Sequence, residues 1–293
     1  MKKDIALELL WAFILAVWCS GSSAVAQAQD PVLVGAGDIA ICNSSKLTNP
    51  EATAKLLDSI AGTVFAAGDL AYPDGTDGNF AKCYDLTWGR HRARTVPAPG
   101  NHEYNSPGAP HYFNYFGPAA GDPTKGYYSF DLGTWHFVVL NSNCSQVACG
   151  TGSAQLNWLQ ADLAAHPAFC TIAIWHHPLF SSTVTSSSMK PIWQALYNAG
   201  ADLILNGHAH NYERFAPQDP NGAADPAKGI REFIVGTGGE SHVSFGTIQP
   251  NSEVRNSDTF GVLELTLHPT SYDWQFVPQA GKTFTDSAST ACH

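Results

Sequence analysis

The segment Ala66–Gly75 reads AAGDLAYPDG. In it, a strand-like apolar run stops at Asp69, and Tyr72 follows three residues later. Asp, Pro and Gly all favour turns, so the simplest interpretation is a strand end with Tyr72 covering the edge of the core. The same arrangement recurs along the chain, which favours a shared role for the residues that end these runs. PVLVGAGD ends at Asp38, RTVPAPGNHE contains Asn101 and His102, CTIAIWHH ends at His176 and His177, and ADLILNGHAH ends at His208 and His210.

The apolar runs are short and show little alternation, which is typical of strands buried on both faces. Helix-like segments lie between them: NPEATAKLLDSIA with a predicted N-cap at Asn49, SAQLNWLQADLAA with Ser153 as its cap, and MKPIWQALYNAG. Strands alternate with helices early and stand alone near the end, so the pattern predicts a layered α/β or α+β sandwich. The segments Tyr72–Arg94 and Glu103–Gly126 are predicted to be long binding loops.

The composition describes an acidic chain with room for a sizeable core. Its 293 residues are 44% apolar, which suffices for one large core or two small ones. Fifteen basic residues against 25 acidic residues give a formal net charge of −10. A field of that sign repels nucleic acids and anionic membranes. It also repels phosphate esters, unless bound cations reverse the local potential.

The N-terminus has the features of an export signal. Lys2 and Lys3 precede the apolar stretch ALELLWAFILAVW, and Ala24-Val25-Ala26 has the pattern of a cleavage site. We expect residues 1–28 to be a signal peptide and residues 29–293 to be a single domain in a secreted or periplasmic protein. An uncleaved anchor is the alternative, although the run is short for a membrane span.

Cleavage would leave an even number of cysteines. In an exported protein, an even number favours disulfides, here up to three. Cys144 and Cys149 are predicted to pair across a tight loop, which leaves the pairs Cys42–Cys83 and Cys170–Cys292 as hypotheses. A cysteine zinc site is the competing interpretation, but the spacings lack the usual C-x-x-C pairs.

The residues that end the apolar runs are all capable of binding a metal. Ligands gather at the carboxyl ends of strands in open α/β sheets. Each residue alone has a structural explanation: GD is a common strand-to-turn pair, and His176 or His177 could be satisfied core groups. The two histidines of GHAH, however, are two positions apart, which places both on one face of an extended segment. Together, the set predicts a metal site.

The motif order GD, GDLAY, GNHE, HH and GHAH resembles that of the calcineurin-like metallophosphoesterases and, within them, the purple acid phosphatases. The resemblance spans Val32 to about Phe276. It implies a four-layer αββα sandwich, in which two mixed β-sheets are flanked by helices and the metal site lies at the C-terminal ends of strands. Relative to plant members, it implies that the mature chain corresponds to the catalytic domain alone.

The resemblance also implies two metal ions. Most metallophosphoesterases have a histidine two residues after the first aspartate, where this chain has Ala40; in purple acid phosphatases a tyrosine at the position of Tyr72 replaces it. A phenolate is a hard anionic donor, which favours Fe(III) at the first site. The implied ligands are Asp38, Asp69, Tyr72 and His210 for Fe(III), and Asp69, Asn101, His176 and His208 for Fe(II), Zn(II) or Mn(II), with Asp69 bridging.

The implied reaction is hydrolysis of phosphate monoesters by a hydroxide held on the metal pair. His102 would contact the phosphate and protonate the leaving oxygen, and His177 would point away from the metals or toward substrate. His176 is preferred over His177 as the ligand because the family's histidine stands two residues before a proline, here Pro178. Two positions depart from the family pattern, since Ala40 replaces a glycine and Ala173 replaces a valine.

Several alternatives remain at this stage. The same superfamily contains phosphodiesterases and nucleotidases, and a non-catalytic metal- or phosphate-binding protein is a different class of answer. The expected partner is a small phosphate ester, with no nucleic acid and no stable membrane anchor after signal cleavage; the oligomeric state is left open. In the segment HNYER, Glu213 and Arg214 are predicted to form an ion pair, and Asn206 is predicted to orient His208.

Overall fold

The computed structural model describes residues 29–42 and 47–293, so the predicted signal peptide lies outside the described residues. Two large mixed sheets dominate the fold. The strands are β1 (Val32–Ala36), β2 (Ala40–Ile41), β3 (Thr63–Ala67), β4 (Ala71–Tyr72), β5 (Thr95–Ala98), β6 (Tyr128–Leu132), β7 (Trp135–Val139), β8 (Cys170–Ile174), β9 (Leu203–Asn206), β10 (Tyr212–Phe215), β11 (Arg231–Val235), β12 (Ser252–Asn256), β13 (Gly261–Leu267), β14 (Ser271–Pro278) and β15 (Ser287–Ala291). The α-helices are α1 (Thr48–Ser59), α2 (Asp77–Asn79), α3 (Pro110–Phe116), α4 (Ala154–Ala165) and α5 (Lys190–Asn198).

The first sheet has the order β15-β14-β13-β1-β3-β5, and the second has the order β12-β10-β11-β9-β8-β7-β6. Strands β1, β3 and β5 are mutually parallel. Strands β7, β8, β9 and β11 are also parallel, while β6, β10 and β12 run antiparallel to their neighbours. Each sheet therefore contains a run of parallel strands, β1-β3-β5 at one side of the first sheet and β11-β9-β8-β7 within the second. The carboxyl ends of the strands in each run lie at one edge of the sheet.

The residues of the second sheet alternate between two hydrophobic clusters. Ile172 and Leu203 belong to the larger cluster, which also contains the strands of the first sheet. Their neighbours Ala173 and Ile204 belong to a second cluster with Leu159 of α4 and with α5. Because successive side chains of a strand point to opposite faces, one face of this sheet packs on the first sheet and the other on helices. The predicted sandwich of two mixed sheets with flanking helices is thus confirmed.

One of the two predicted helix N-caps is observed in the structure, and the other is not. Ser153 caps α4 as predicted, and its hydroxyl accepts the Leu156 N–H at 3.2 Å. The predicted cap at Asn49 is wrong, because α1 begins at Thr48 and Leu47 is the residue before it. Pro50 is tolerated as the third helical residue, since N–H groups of the first turn have no partner within a helix. No helix within the described ranges is both long and apolar enough to cross a membrane.

The two predicted long loops contain helical structure of their own. The first holds α2, a π-helical turn at Phe80–Tyr84 and a 3-10 helix at Trp88–Arg94. The second holds α3 between 3-10 turns at Glu103–Asn105 and Gly117–Ala120. Aromatic contacts join the two segments, with the Phe80 and Tyr115 rings stacked at 4.7 Å between centroids. Tertiary packing therefore orders segments that lack a clear helical period.

Three disulfides connect the elements as predicted. They join Cys42 to Cys83, Cys144 to Cys149, and Cys170 to Cys292. The last pair ties the C-terminal segment to the start of β8 across 122 residues of sequence. A cross-link over so long a segment restricts the unfolded chain strongly and is worth about 5 kcal/mol on a chain-entropy basis.

Candidate metal centre

Five strand ends from both sheets converge at one place. Asp38 follows β1, Asp69 follows β3 and Asn101 follows β5, which are neighbours in the first sheet. His176 follows β8 and His208 follows β9, which are neighbours in the second sheet. The loops after these strands also contact one another directly, since the Asp38 N–H donates to the Gly68 carbonyl at 3.0 Å and the Gly207 N–H to the His176 carbonyl at 3.1 Å. The structure thus brings together residues that are up to 170 positions apart in sequence.

The backbone is strained at three of these residues. Asp38, Asp69 and His208 have φ values of +59°, +53° and +68°, a left-handed conformation that costs non-glycine residues free energy. Gly68 also has a positive φ of +81°, and a Cβ there would lie 2.5 Å from Nδ1 of His176. Such strain is concentrated at functional sites, because the surrounding structure must hold it in place. Here it turns both aspartates and a histidine toward a common centre.

Tyr72 lies between the two aspartates. Its hydroxyl oxygen is 2.9 Å from Asp38 Oδ1, 3.0 Å from Asp69 Oδ2 and 3.1 Å from His210 Nε2. His210 Nε2 is in turn 3.2 Å from Asp38 Oδ1. Tyr72 and both aspartates are buried. Four donor atoms from four residues therefore surround one small volume.

A second group of donors shares Asp69. His176 Nε2 lies 3.1 Å from Asp69 Oδ2 and 3.2 Å from the Asn101 side-chain oxygen. The His208 ring is 4.9 Å from the His176 ring, centroid to centroid. The same Asp69 Oδ2 also lies near Tyr72, so one carboxylate belongs to both groups. This is the arrangement expected of a bridging ligand.

Hydrogen bonds at the far side of two histidines orient their rings. His176 Nδ1 lies 2.8 Å from the Ala67 carbonyl, which accepts its proton. His210 Nδ1 lies 2.8 Å from Ser241 Oγ and 2.9 Å from Glu240 Oε2. In both cases Nε2 is left facing the donors described above. Partners of this kind fix the tautomer of metal-binding histidines and raise their basicity.

The carboxylates of the centre give it a negative potential, which shifts the pKa values of the neighbouring side chains. Burial and the nearby Asp38 and Asp69 carboxylates raise the pKa of the Tyr72 phenol well above its usual value. Burial disfavours the charged form of His176, yet Asp69 outweighs it and raises the pKa of His176 to about 9. In the same way, Asp38 raises the pKa of His210 to about 10 against the effect of burial. The carboxylates thus attract whatever cation is available.

The donor chemistry fits a pair of metal ions. Two carboxylates, a phenol oxygen and one imidazole nitrogen suit a hard trivalent ion, and a shared carboxylate with an amide oxygen and two imidazoles suits a divalent ion. Ligand atoms of Asp38, Asp69 and His176 lie within 4.8 Å of one another, as do those of His176, His177 and His208. The residues present therefore fit two metal ions in chemistry and proximity, while the individual ligand assignments stay predictions.

His102 lies at the edge of this group. Its N–H donates to Asp69 Oδ1 at 2.9 Å, and its ring is 4.2 Å from the Tyr72 ring, centroid to centroid. His102 Nδ1 bonds the Pro73 carbonyl, and Nε2 is 3.8 Å from Asp69 Oδ2. Nε2 is therefore the nitrogen that faces the centre. The imidazole is partly exposed, so it can also contact a molecule that enters from solvent.

His177 lies in the same cluster, beside His208 with ring centroids 4.4 Å apart. Ser142 Oγ accepts the His177 backbone N–H at 2.9 Å and lies 2.8 Å from His177 Nδ1. Because that oxygen already accepts one proton, we assign its own hydroxyl proton to Nδ1. Burial, with His176 and His208 nearby, lowers the pKa of His177 to about 2, so the ring is neutral. A neutral ring that accepts at Nδ1 has its proton on Nε2.

Sequence reasoning missed the residues that support this centre. Glu103 is buried, and its carboxylate accepts the N–H groups of Asp69, Leu70 and Gly100 at 2.8–3.0 Å. Burial and the nearby Asp69 raise the pKa of Glu103 to about 7. The position of Glu103 directly after the GNH motif was the sequence feature that could have indicated its role. Ser142, Ser241 and Glu240 had none, because nothing in their sequence surroundings indicates contact with a distant histidine.

Two predictions about neighbouring residues are wrong. Glu213 does not pair with Arg214, since adjacent residues of β10 point to opposite faces. Glu213 instead accepts the Ser182 N–H at 2.8 Å, whereas Arg214 binds Asp286 at 2.7 Å and also binds Glu253. Asn206 donates to the Trp175 carbonyl at 2.9 Å rather than to His208. Asn206 thus braces the segment before His176.

Residues 35–212 match the family model of the calcineurin-like phosphoesterases, and the chain belongs to this family. Among curated relatives, purple acid phosphatase 15 of Arabidopsis thaliana is 28% identical over 244 residues, which are 69% of this chain and 45% of that protein. Purple acid phosphatase 22 of the same plant is 36% identical over 121 residues, or 39% of this chain and 27% of that protein. The chain thus spans about half or less of the length of these relatives.

Solved structures share the fold. Purple acid phosphatase PPD1 from yellow lupin (Lupinus luteus) seeds has a TM-score of 0.70 at 21% identity, covering 90% of this chain and 54% of that chain. GAP50 of Plasmodium, described as the anchor in the inner membrane complex, has a TM-score of 0.68 at 14% identity and covers 90% of both chains. The recognition of a calcineurin-like, purple acid phosphatase-like protein from its motifs is therefore confirmed.

Proposed function

We propose that this protein is an exported phosphatase that hydrolyses phosphate monoesters at a two-metal centre. The observation that carries the proposal is the Tyr72 hydroxyl, which lies within 3.0 Å of both the Asp38 and Asp69 carboxylates. This arrangement compensates for Ala40, which offers no ligand where most of the family has a histidine. The purple acid phosphatases among the relatives support the same class of reaction.

The geometry supports a proposal of two ligand sets. The first metal, Fe(III), would be held by Asp38, Asp69, Tyr72 and His210, and the second, Fe(II), Zn(II) or Mn(II), by Asp69, Asn101, His176 and His208. When bound, two cations supply positive charge and Lewis acidity toward a phosphoryl group. That charge offsets the net charge of −10, which would otherwise repel a phosphate ester.

His102 is proposed as the general acid. A leaving alkoxide needs a proton, and the partly exposed imidazole can deliver one from Nε2 while Nδ1 is held by the Pro73 carbonyl. Proton transfer from a positioned side chain contributes about 10²–10⁴-fold to the rate. The His102 N–H bond to Asp69 fixes the position of this group relative to the metal ligands.

His177 is proposed as a phosphate contact. Ser142 keeps Nδ1 as an acceptor, so the Nε2–H of His177 is a neutral hydrogen-bond donor beside His208. A donor at this position binds a phosphoryl oxygen without adding a charge next to the metal ligands. Its role is to position substrate rather than to transfer a proton.

Export and a single catalytic domain are part of the proposal. Three disulfides persist only in an oxidising compartment, which supports a secreted or periplasmic location. Residues 29–293 would act as one catalytic domain, since both sheets contribute ligands to the same centre. Neither sheet alone could hold both metals. Small phosphate esters are the proposed substrates.

The test is the visible absorption spectrum of the purified protein and of Tyr72→Phe, with total metal measured in both. We expect a visible band from charge transfer between tyrosinate and Fe(III), which the variant loses. A colourless but active protein with full metal content would overturn the ferric assignment and favour a divalent phosphodiesterase or nucleotidase.

Activity is compared on p-nitrophenyl phosphate and on its bis ester. We expect faster release of nitrophenol from the monoester. Preference for the bis ester would instead assign a phosphodiesterase. No turnover of either ester by metal-loaded protein would favour a non-catalytic binding protein.

A further inference from the structure

A second group of histidines and carboxylates lies at the opposite end of the second sheet. His136 stands near the start of β7 and is paired with Thr171 of β8, five residues before His176. At about 3.3 Å per residue, this places the group about 15 Å from the candidate metal centre. His136 is buried, and its two ring nitrogens both meet carboxylates. Nδ1 is 2.8 Å from Asp131 Oδ1, and Nε2 is 2.9 Å from Asp162 Oδ2.

A second histidine completes the group. His166 directly follows α4, and its Nδ1 is 3.4 Å from Asp162 Oδ1 and 3.0 Å from the Asp162 carbonyl. The rings of His136 and His166 lie 5.2 Å apart, centroid to centroid. Nitrogen and oxygen atoms of His136, Asp162 and His166 lie within 4.8 Å of one another.

We propose that His136, Asp162 and His166 bind a divalent ion of the zinc class. Two imidazoles and a carboxylate are a typical ligand set for Zn(II), with solvent able to fill a fourth position. The half-exposed His166 side chain leaves a path by which the ion enters. The ion would clamp the β6–β7 hairpin to the end of α4.

The surrounding contacts are those of a metal site. Asp131 accepts from Nδ1 of His136, which directs Nε2 toward the ion, and carboxylate–histidine pairs of this kind are common around zinc. Ser129 donates to Asp162 Oδ1 at 2.7 Å and orients that carboxylate. The chain thus supplies both the ligands and the partners that hold two of them in place.

The competing explanation of this cluster is an ion pair without a metal. A protonated His136 between Asp131 and Asp162 would satisfy both carboxylates without a metal. It would leave the His166 imidazole bound to Asp162, whose carbonyl accepts the Nδ1–H at 3.0 Å. A metal ion would use both imidazoles once the half-exposed His166 ring, which lies within 17° of parallel to the His136 ring, turns a nitrogen toward the Asp162 carboxylate. The proximity of two imidazoles to one buried carboxylate is the observation that favours a cation.

The test measures zinc binding by the full-length protein with its main centre loaded. Wild type, His166→Ala and Asp162→Asn are equilibrated with zinc chloride, and bound metal per chain is measured by mass spectrometry. We expect wild type to bind one more zinc ion than either variant, or to bind it about 10–100-fold more tightly. His166 is half exposed, so its variant should fold even if Asp162→Asn does not.

His268→Ala is the matched control. His268 also contacts two carboxylates, Asp30 at 2.6 Å and Asp273 at 3.1 Å, but is not grouped with a second histidine. This variant should keep the extra zinc ion that wild type binds. Equal zinc content in wild type and His166→Ala, whether high or low, would overturn the proposal, because the ion would then be absent or bound elsewhere.

Discussion

The candidate metal centre and the His136 cluster use the same residue types but are built differently. In the centre, every proposed ligand comes from a loop after a strand or, for Tyr72, from a short strand beside such a loop. In the cluster, His136 stands inside β7 and Asp162 inside α4, and only His166 follows an element. The centre requires left-handed backbone at Asp38, Asp69 and His208, whereas the cluster needs none. The comparison teaches that strained loops can collect many donors, while regular elements bring together only a few.

The largest expected effect on activity comes from comparing one substitution in the centre with one in the cluster. Asp69→Asn should lower phosphatase activity by about 10³-fold or more, because the shared carboxylate contacts both groups of donors. Asp162→Asn should leave activity unchanged, since it lies at the other end of the sheet. Both are measured as kcat/KM with p-nitrophenyl phosphate, along with bound metal. Equal losses would mean that the two regions are coupled or that both variants unfold.

His102 tests whether the centre contains a proton donor as well as ligands. His102→Ala should lower kcat by about 10²–10⁴-fold while metal content stays the same. The loss should shrink for esters with strongly acidic leaving groups, which need no proton. His166→Ala is the counterpart in the cluster and should retain full kcat. A uniform loss across leaving groups would assign His102 a binding role instead.

Two serines, one in each region, test smaller effects, because each hydrogen-bonds to a residue of its region. Ser142→Ala frees the tautomer of His177 and should raise KM about 2–10-fold with little change in kcat, the usual size of one hydrogen bond. Ser129→Ala removes the corresponding support of Asp162 and should weaken zinc binding at the cluster while KM is unchanged. If Ser142→Ala changed neither parameter, His177 would not contact substrate.

The smallest effect concerns His268, the partly exposed counterpart of His136. Hydrogen bonds that the His268 ring donates to Asp30 and Asp273 raise its pKa above the usual 6.5. The stabilisation is therefore complete below about pH 6.5 and is lost as the pH rises through the folded-state pKa. His268→Gln should lower the free energy of unfolding at pH 5.5 by about 0.2–1 kcal/mol and less at pH 8.5, because solvent screens exposed pairs. Urea unfolding at both pH values measures this; an equal loss at both would exclude a charge effect.

The convergence of these side chains could be predicted from the sequence because the residues follow strands. An apolar run that stops at Asp38, Asp69 or His176 marks both the end of a strand and the position of a side chain at a sheet edge. Parallel neighbours then bring these ends together. The same logic located the long strands and the sandwich. It failed for the start of α1 and for the segments around Phe80 and Tyr115, where packing rather than local propensity decides the conformation.

What the sequence by itself determined is therefore the order of the elements, the Cys144–Cys149 pair, the family and the residues offered at the strand ends. Only the tertiary structure decided which side chains meet across elements: Glu103 with the Asp69 N–H, Ser142 with His177, and His136 with Asp162. The reason is physical. Periodicity and turn chemistry are local properties of a chain, whereas a contact between a strand and a helix depends on register and packing, which short segments do not encode.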